Sequence, residues 1–127
     1  MDQRFGKAYR LCSKKAIDVL FNQGQRLKKY PLAARYETVP LSTVKSFQVV
    51  ISVPKRIHKT APKRNRLKRL IRESVRKKKH IIEENIPQQQ KQIAIAIIYQ
   101  SKEEVAQSKI ESCIEHIFHE IIKRSNQ

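Results

Sequence analysis

Apolar residues recur along this chain with two different periods. Between Lys14 and Gln23, Ile17, Leu20 and Phe21 fall at helical spacing. Ser13 is placed to cap the start and Gly24 to take a left-handed position after the end, so the spacing predicts a short first helix. From Pro31 onward Leu32 to Tyr36 reads as extended, and Phe47, Val49, Ile51 and Val53 alternate with Gln48, Val50 and Ser52 at period two. Two strands are expected, joined near Pro40 to Lys45, with one more short strand near Gln25 to Tyr30. Pro54 offers no ladder donor and ends the second of the two. After a connection over 55–63, Leu67, Leu70, Ile71, Val75, Ile81 and Ile82 trace one stripe of a long helix running from about Arg64 to about Glu84. Pro87 and Gln88 to Gln90 make a loop, and the nearly continuous apolar run Ile93 to Tyr99 suits a central buried strand. Ser101-x-x-Glu104 has the form of a capping box, with the last helix expected to follow directly. Ile110, Cys113, Ile114, Ile117, Phe118, Ile121 and Ile122 give that helix one apolar face to lay on a sheet.

The resulting order, α-β-β-(β)-α-β-α, is that of an α+β protein: a two-layer α/β sandwich with a mixed sheet and helices on one side. With 127 residues and 39% apolar content, one core and one domain over 1–127 are expected, with 1–8 and 125–127 as flexible tails. Cys12 and Cys113 stand 101 positions apart, giving no disulfide framework and no metal spacing, and the N-terminus carries no apolar signal core. A reducing cytoplasm is the expected compartment. No apolar run approaches the roughly 18–20 residues of a membrane span, and no basic segment has the aromatic apolar face of an interfacial helix.

Charge sharpens the picture. The net formal charge is +17. Residues 1–82 hold 23 Lys or Arg against 4 acids, while residues 83–127 hold 5 against 7. Between Lys55 and Lys79, 13 of 25 residues are basic and Glu73 is the one acid, a density that repels itself unless a polyanion neutralises it. Arg64, Lys68, Arg72 and Arg76 recur every four residues, with Asn65, Arg66 and Arg69 beside them, opposite the apolar stripe of the same helix. One face is core and the other cationic. Arg at several of these positions favours bidentate contacts to phosphates.

Chemistry performed by the protein itself is poorly supported. Metal-dependent nucleases gather several carboxylates around their ions, yet only Asp2, Asp18 and Glu37 precede Glu73. His116 and His119, near Cys113, imitate a ligand pair but border the apolar face of the last helix, which favours a structural reading. Only Gly6 and Gly24 are present, so a glycine-rich phosphate loop is ruled out.

The stretch Lys63-Arg64-Asn65-Arg66-Leu67-Lys68-Arg69-Leu70-Ile71-Arg72-Glu73 resembles the signature of the bacterial ribonuclease P protein family, in which Arg-Asn-Arg opens the second helix. The similarity continues in Ile51-Ser52-Val53-Pro54-Lys55-Arg56, in Arg10-Leu11 and in Phe21-Asn22-Gln23-Gly24. It covers roughly 9–124, in pattern only after Gln88. Two departures are Ile17, where an aromatic is often found, and a connection Ile57 to Lys63 one residue longer than in many members.

The resemblance implies a left-handed β-α-β crossover, against the usual handedness. It further implies a protein that is inert alone and assists a catalytic RNA in removing the 5′ leader of precursor tRNA. Lys63, Arg64, Asn65, Arg66, Lys68, Arg69, Arg72 and Arg76 would contact the catalytic RNA. A cleft between the first helix and the sheet would hold the single-stranded leader with Phe21, Tyr36, Ser52, Lys55 and Arg56, by stacking and phosphate contacts. Magnesium ions would be held mainly by the RNA. The expected partners are ribonuclease P RNA and precursor tRNA, with no membrane and no obligate protein partner. A ribosomal or ribosome-assembly protein would share the charge, size and cationic helix, and differs in lacking the Arg-Asn-Arg context. A DNA-binding module is disfavoured by the strands and by the absence of a two-helix turn unit.

Overall fold

The computed structural model describes residues 9–39, 41, 46–85 and 92–125. Its elements are α1 (Lys14–Gln23), β1 (Gln25–Lys29), β2 (Leu32–Thr38), β3 (Phe47–Ser52), α2 (Ala61–Asn85), β4 (Ile93–Tyr99) and α3 (Gln107–Ser125). The expected order holds, and the extra strand is present as β1. The expected loops at Pro40 to Lys45 and Pro87 to Gln90 lie almost wholly outside the described residues. So do the expected tails, apart from Ser125, which ends α3.

The four strands form one mixed sheet in the order β1-β2-β4-β3. β1 with β2 and β2 with β4 are antiparallel, while β3 and β4 are parallel, with α2 crossing between them. β4 is central, as its apolar run demands. Its alternation is also one of size: Ile93, Ile95, Ile97 and Tyr99 point into the main core, while Ala94 and Ala96 point to the other face. The main core lies between the sheet and α2 with α3, and all seven apolar positions of α3 are buried there. Each such fully buried Ile or Phe is worth roughly 1.5–3 kcal/mol relative to exposure.

Contrary to the expectation that all helices share one side, α1 packs on the opposite face. There Leu20, Ala16 and Ile17 meet Ala94 and Ala96, with Leu11, Val39, Leu41 and Val50 around them. Two alanines in β4 leave room for a helix to approach the strand closely, which is why a short amphipathic helix suffices.

Helix ends follow local chemistry with two exceptions. Ser13 caps α1, its hydroxyl accepting from the Ala16 amide at 3.3 Å. Gly24 is not left-handed: it is extended, with φ −66° and ψ 149°. Glycine is needed there for close approach, because a Cβ would collide with the Leu20 carbonyl oxygen. The expected capping box does not form either. The Ser101 hydroxyl accepts from the Glu103 amide and from the Tyr30 hydroxyl, each at 3.0 Å, and α3 starts only at Gln107. The Tyr99 hydroxyl holds the intervening loop by donating to the Glu103 carbonyl and accepting from the Val105 amide. α2 starts earlier than expected, at Ala61, with Pro62 in its first turn, where a missing amide costs no helical bond.

Candidate nucleic-acid interface

α2 buries Leu67, Ile71, Val75, Ile81 and Ile82, which rotates its cationic positions outward to both flanks. The two flanks differ in what they meet. Toward α3, Arg66 donates to Glu104 with its Nε at 2.8 Å, Lys77 pairs with Glu111 at 3.0 Å, and Lys78 pairs with Glu115 at 3.4 Å. Three of the seven acids that make the C-terminal third negative are therefore spent on this flank. Along the helix, Arg76 pairs with Glu73, and that hydrogen bond holds the Glu73 carboxyl below its ordinary pKa. Arg64 turns back to donate to the carbonyls of His58 at 3.2 Å and Lys59 at 2.8 Å, bracing the connection that leads into the helix.

On the other flank the cations have no acid partner among the described residues. Lys68 and Arg72 join Arg10, Leu11, Val49 and Ile51 around a groove of ≈ 230 Å³ beside the β3 edge. Arg10 is carried there by the segment before α1, which pairs with β3 through Leu11 N–H to Val49 O at 3.0 Å. Asn65 and Arg69 are exposed on the outer side of the helix, and Lys63 is half-buried near its start. Lys79, further along, is buried with its ammonium 4.6 Å from the centre of the Tyr9 ring, so it anchors the N-terminal segment.

The second surface lies on the face of the sheet that carries α1. Phe21 is 36% exposed, and the Arg35 guanidinium sits 5.5 Å from its ring centre while donating to the Phe21 carbonyl. Beyond α1 the sheet shows half-buried Val50, Ser52 and Ile98, and the turn after β3 presents exposed Lys55 and Arg56. Ser52 and Ile98 are register partners. Phe21 and Ser52 thus lie on this face, with Lys55 and Arg56 in the turn that follows β3.

Tyr36 does not. Its expected place is the cleft, but strand alternation puts it with Leu32 and Ala34 in the main core, 6% exposed and opposite Ile95. Its hydroxyl meets the Arg124 guanidinium at the end of α3. The neighbouring Arg35 takes the cleft position, which the pattern of the chain did not single out. Its charge within the run Pro31 to Tyr36 marks it as unusual there, but only the register says which face it takes.

His116 and His119 are exposed on α3, not fitted against the core, with His119 4.0 Å from Glu115. Among the described residues no three His, Cys, Asp or Glu side chains gather, and no helix is long and apolar enough to cross a membrane. Cys12 is exposed and Cys113 buried, and both are free.

A mixed four-stranded sheet is covered by two helices on one face and by a third on the other. Among the described residues it leaves cations without acid partners on two separate surfaces, which defines a small α+β protein built to bind a polyanion. The family model described as Ribonuclease P matches residues 5–122. The ribonuclease P protein component of Porphyromonas gingivalis is 33% identical over 97 residues, which cover 76% of this chain and 71% of that one. The fold is shared with the RNase P protein of Staphylococcus aureus, with a TM-score of 0.68, 22% identity and coverage of 91% and 96% of the two chains. The Thermotoga maritima RNase P protein gives a TM-score of 0.69 at 22% identity, covering 87% and 96%. The chain belongs to the ribonuclease P protein family. Its RNA-binding and tRNA-processing role, as the protein part of a ribonucleoprotein endonuclease partnered with ribonuclease P RNA, follows from that membership.

Proposed function

We propose that the two cationic surfaces divide the work between two RNAs. The side of α2 away from Glu104, Glu111 and Glu115, with Lys68, Arg69 and Arg72, binds the catalytic RNA through its phosphates together with the start of the helix at Lys63 to Arg66, where Arg66 exchanges Glu104 for a phosphate. The face carrying α1 binds the 5′ leader of precursor tRNA. Phe21 supplies a ring for a splayed base, Ser52 and Ile98 a floor, and Arg35, Lys55 and Arg56 the charge along the backbone. The observation that carries this reading is the pairing pattern of α2, where Glu104 before α3 and Glu111 and Glu115 on it neutralise one flank and, among the described residues, leave the other unmatched.

In this reading the RNA performs hydrolysis with magnesium ions that it holds itself, and the protein raises substrate affinity and offsets RNA charge. The setting is cytoplasmic. No step requires a protein carboxylate or histidine at the scissile bond.

The test is cleavage of a 5′-extended precursor tRNA by the cognate ribonuclease P RNA at low magnesium, with and without the protein. Accurate cutting is expected only when both are present. Cutting by the protein alone, or no gain from adding it, would overturn the proposal; in the second case a general RNA-binding role would replace it.

A further inference from the structure

The register of the sheet lines up two rows of residues across the face that carries α1. One runs Ser52, Ile98, Ala33, Lys28, and the next runs Val50, Ala96, Arg35, Arg26. The far end of both rows is β1, the edge strand, whose five residues Gln25-Arg26-Leu27-Lys28-Lys29 include three cations and no acid. Leu27 points to the main core, so Arg26 and Lys28 point to the α1 face while Lys29 points to the side where α3 packs. Both Arg26 and Lys28 are exposed.

Arg26 and Arg35 are direct cross-strand partners, an arrangement of like charges that weakens a strand pair unless an anion sits over it. Glu37, the one acid of β1 and β2, has a carboxylate oxygen accepting from the Thr38 amide at 3.1 Å. No ion pair to Arg26 or Lys28 is found among the described residues. Edge strands often carry Lys simply to discourage pairing with other chains. That purpose does not require two cations on one face in register with Arg35 and the cleft.

We infer that Arg26 and Lys28 extend the single-stranded RNA path across the whole sheet, so that leader nucleotides beyond those at Phe21 and Ser52 rest on the β1 edge. The inference rests on the leader-binding reading above. β3 and β1 are three strand spacings apart, about 14 Å, so only a leader long enough to cross that distance reaches the edge. The leader runs from Lys55 and Arg56 over Ser52 and Ile98, crosses the small Ala33, which lies low in the sheet at 7% exposure, and meets Lys28 and Arg26 on the far side.

The experiment is equilibrium binding of precursor tRNAs with leaders graded in length to the reconstituted holoenzyme, with wild-type protein, the double variant R26A/K28A and the single variant K29A. The double variant is expected to lose affinity progressively as the leader lengthens. For the longest leader the log-log salt slope should fall by about 1.4, near 0.7 for each single-strand phosphate that is no longer neutralised. K29A should match wild type, and R26K/K28R should restore the length dependence. A loss equal at every leader length, or a double variant that merely self-associates while keeping the wild-type length dependence, would overturn the inference. If the wild-type holoenzyme itself binds all leader lengths equally, the leader-binding reading fails and the extension with it.

Discussion

The Arg35 guanidinium caps the Phe21 carbonyl and lies against the ring of the same residue, fixing the end of α1 to the middle of β2. Local capping chemistry and a cation-π interaction here hold an aromatic ring at the surface instead of in the core. The ring is 36% exposed, so it is open to solvent on one side while the rest is packed, and it is oriented by a charge that also suits a phosphate.

Phe21→Ala should therefore separate stability from function. Stability should fall by about 1–2 kcal/mol for the packed part of the ring, while holoenzyme affinity for precursor tRNA drops by about 1–3 kcal/mol, the usual worth of one stacked base. Affinity for mature tRNA, which lacks the leader, should be unchanged. A loss shared by both RNAs would show that Phe21 acts on the fold and not on the leader.

On α2 the expected effects follow the pairing pattern and not the number of cations. Arg69→Ala and Arg72→Ala should each lower the salt slope of catalytic-RNA binding by about 0.9 if the contacted phosphate is in a duplex. Lys77→Ala and Lys78→Ala, whose ammonium groups already meet Glu111 and Glu115, should change it less. Filter binding across a salt series distinguishes the two groups.

On the proposed reading, Glu104 competes with RNA for Arg66. The pair is exposed on both sides, at 60% and 42% of the side chains, so breaking it should shift stability by no more than about 1 kcal/mol. Glu104→Gln should tighten catalytic-RNA binding and steepen its salt slope, because Arg66 is released toward the phosphates. A flatter slope in this variant would count against Arg66 as an RNA contact.

Glu73 links stability to acid. Its carboxyl is held below the ordinary value first by the hydrogen bond from Arg76 and then by the Arg76 and Lys77 charges. A depressed folded-state pKa contributes stability that is present above the unfolded value and is lost as pH falls through the folded one. The difference in unfolding temperature between wild type and Glu73→Gln should thus be constant near neutrality and disappear in acid, below the ordinary glutamate value. The group is largely in solvent, so the difference should be small.

Gly24→Ala should destabilise the fold by more than about 1 kcal/mol, although its backbone angles suit any residue. The added Cβ meets the Leu20 carbonyl oxygen, a backbone atom that cannot move without unwinding the end of α1. A chemical denaturation midpoint unchanged from wild type would contradict that close approach.

The sequence by itself determined the element order, the central place of β4, the buried face of α3 and the cationic character of α2. These follow from period and composition, which act over a few residues and leave direct marks in the chain. It also singled out Lys68, Arg69 and Arg72 as candidates, because a run of cations with Glu73 as its one acid is visible without a fold. Only the tertiary structure decided that α1 lies on the opposite face from α2 and α3, since Ala94 and Ala96 matter only once strands are paired. Register alone put Tyr36 in the core and Arg35 in the cleft: a shift of one residue exchanges the faces of a strand, and no local signal fixes it. The pairing of Arg66, Lys77 and Lys78 with Glu104, Glu111 and Glu115 was equally out of reach, because those acids lie more than thirty positions away and meet the helix only through the packing of α3.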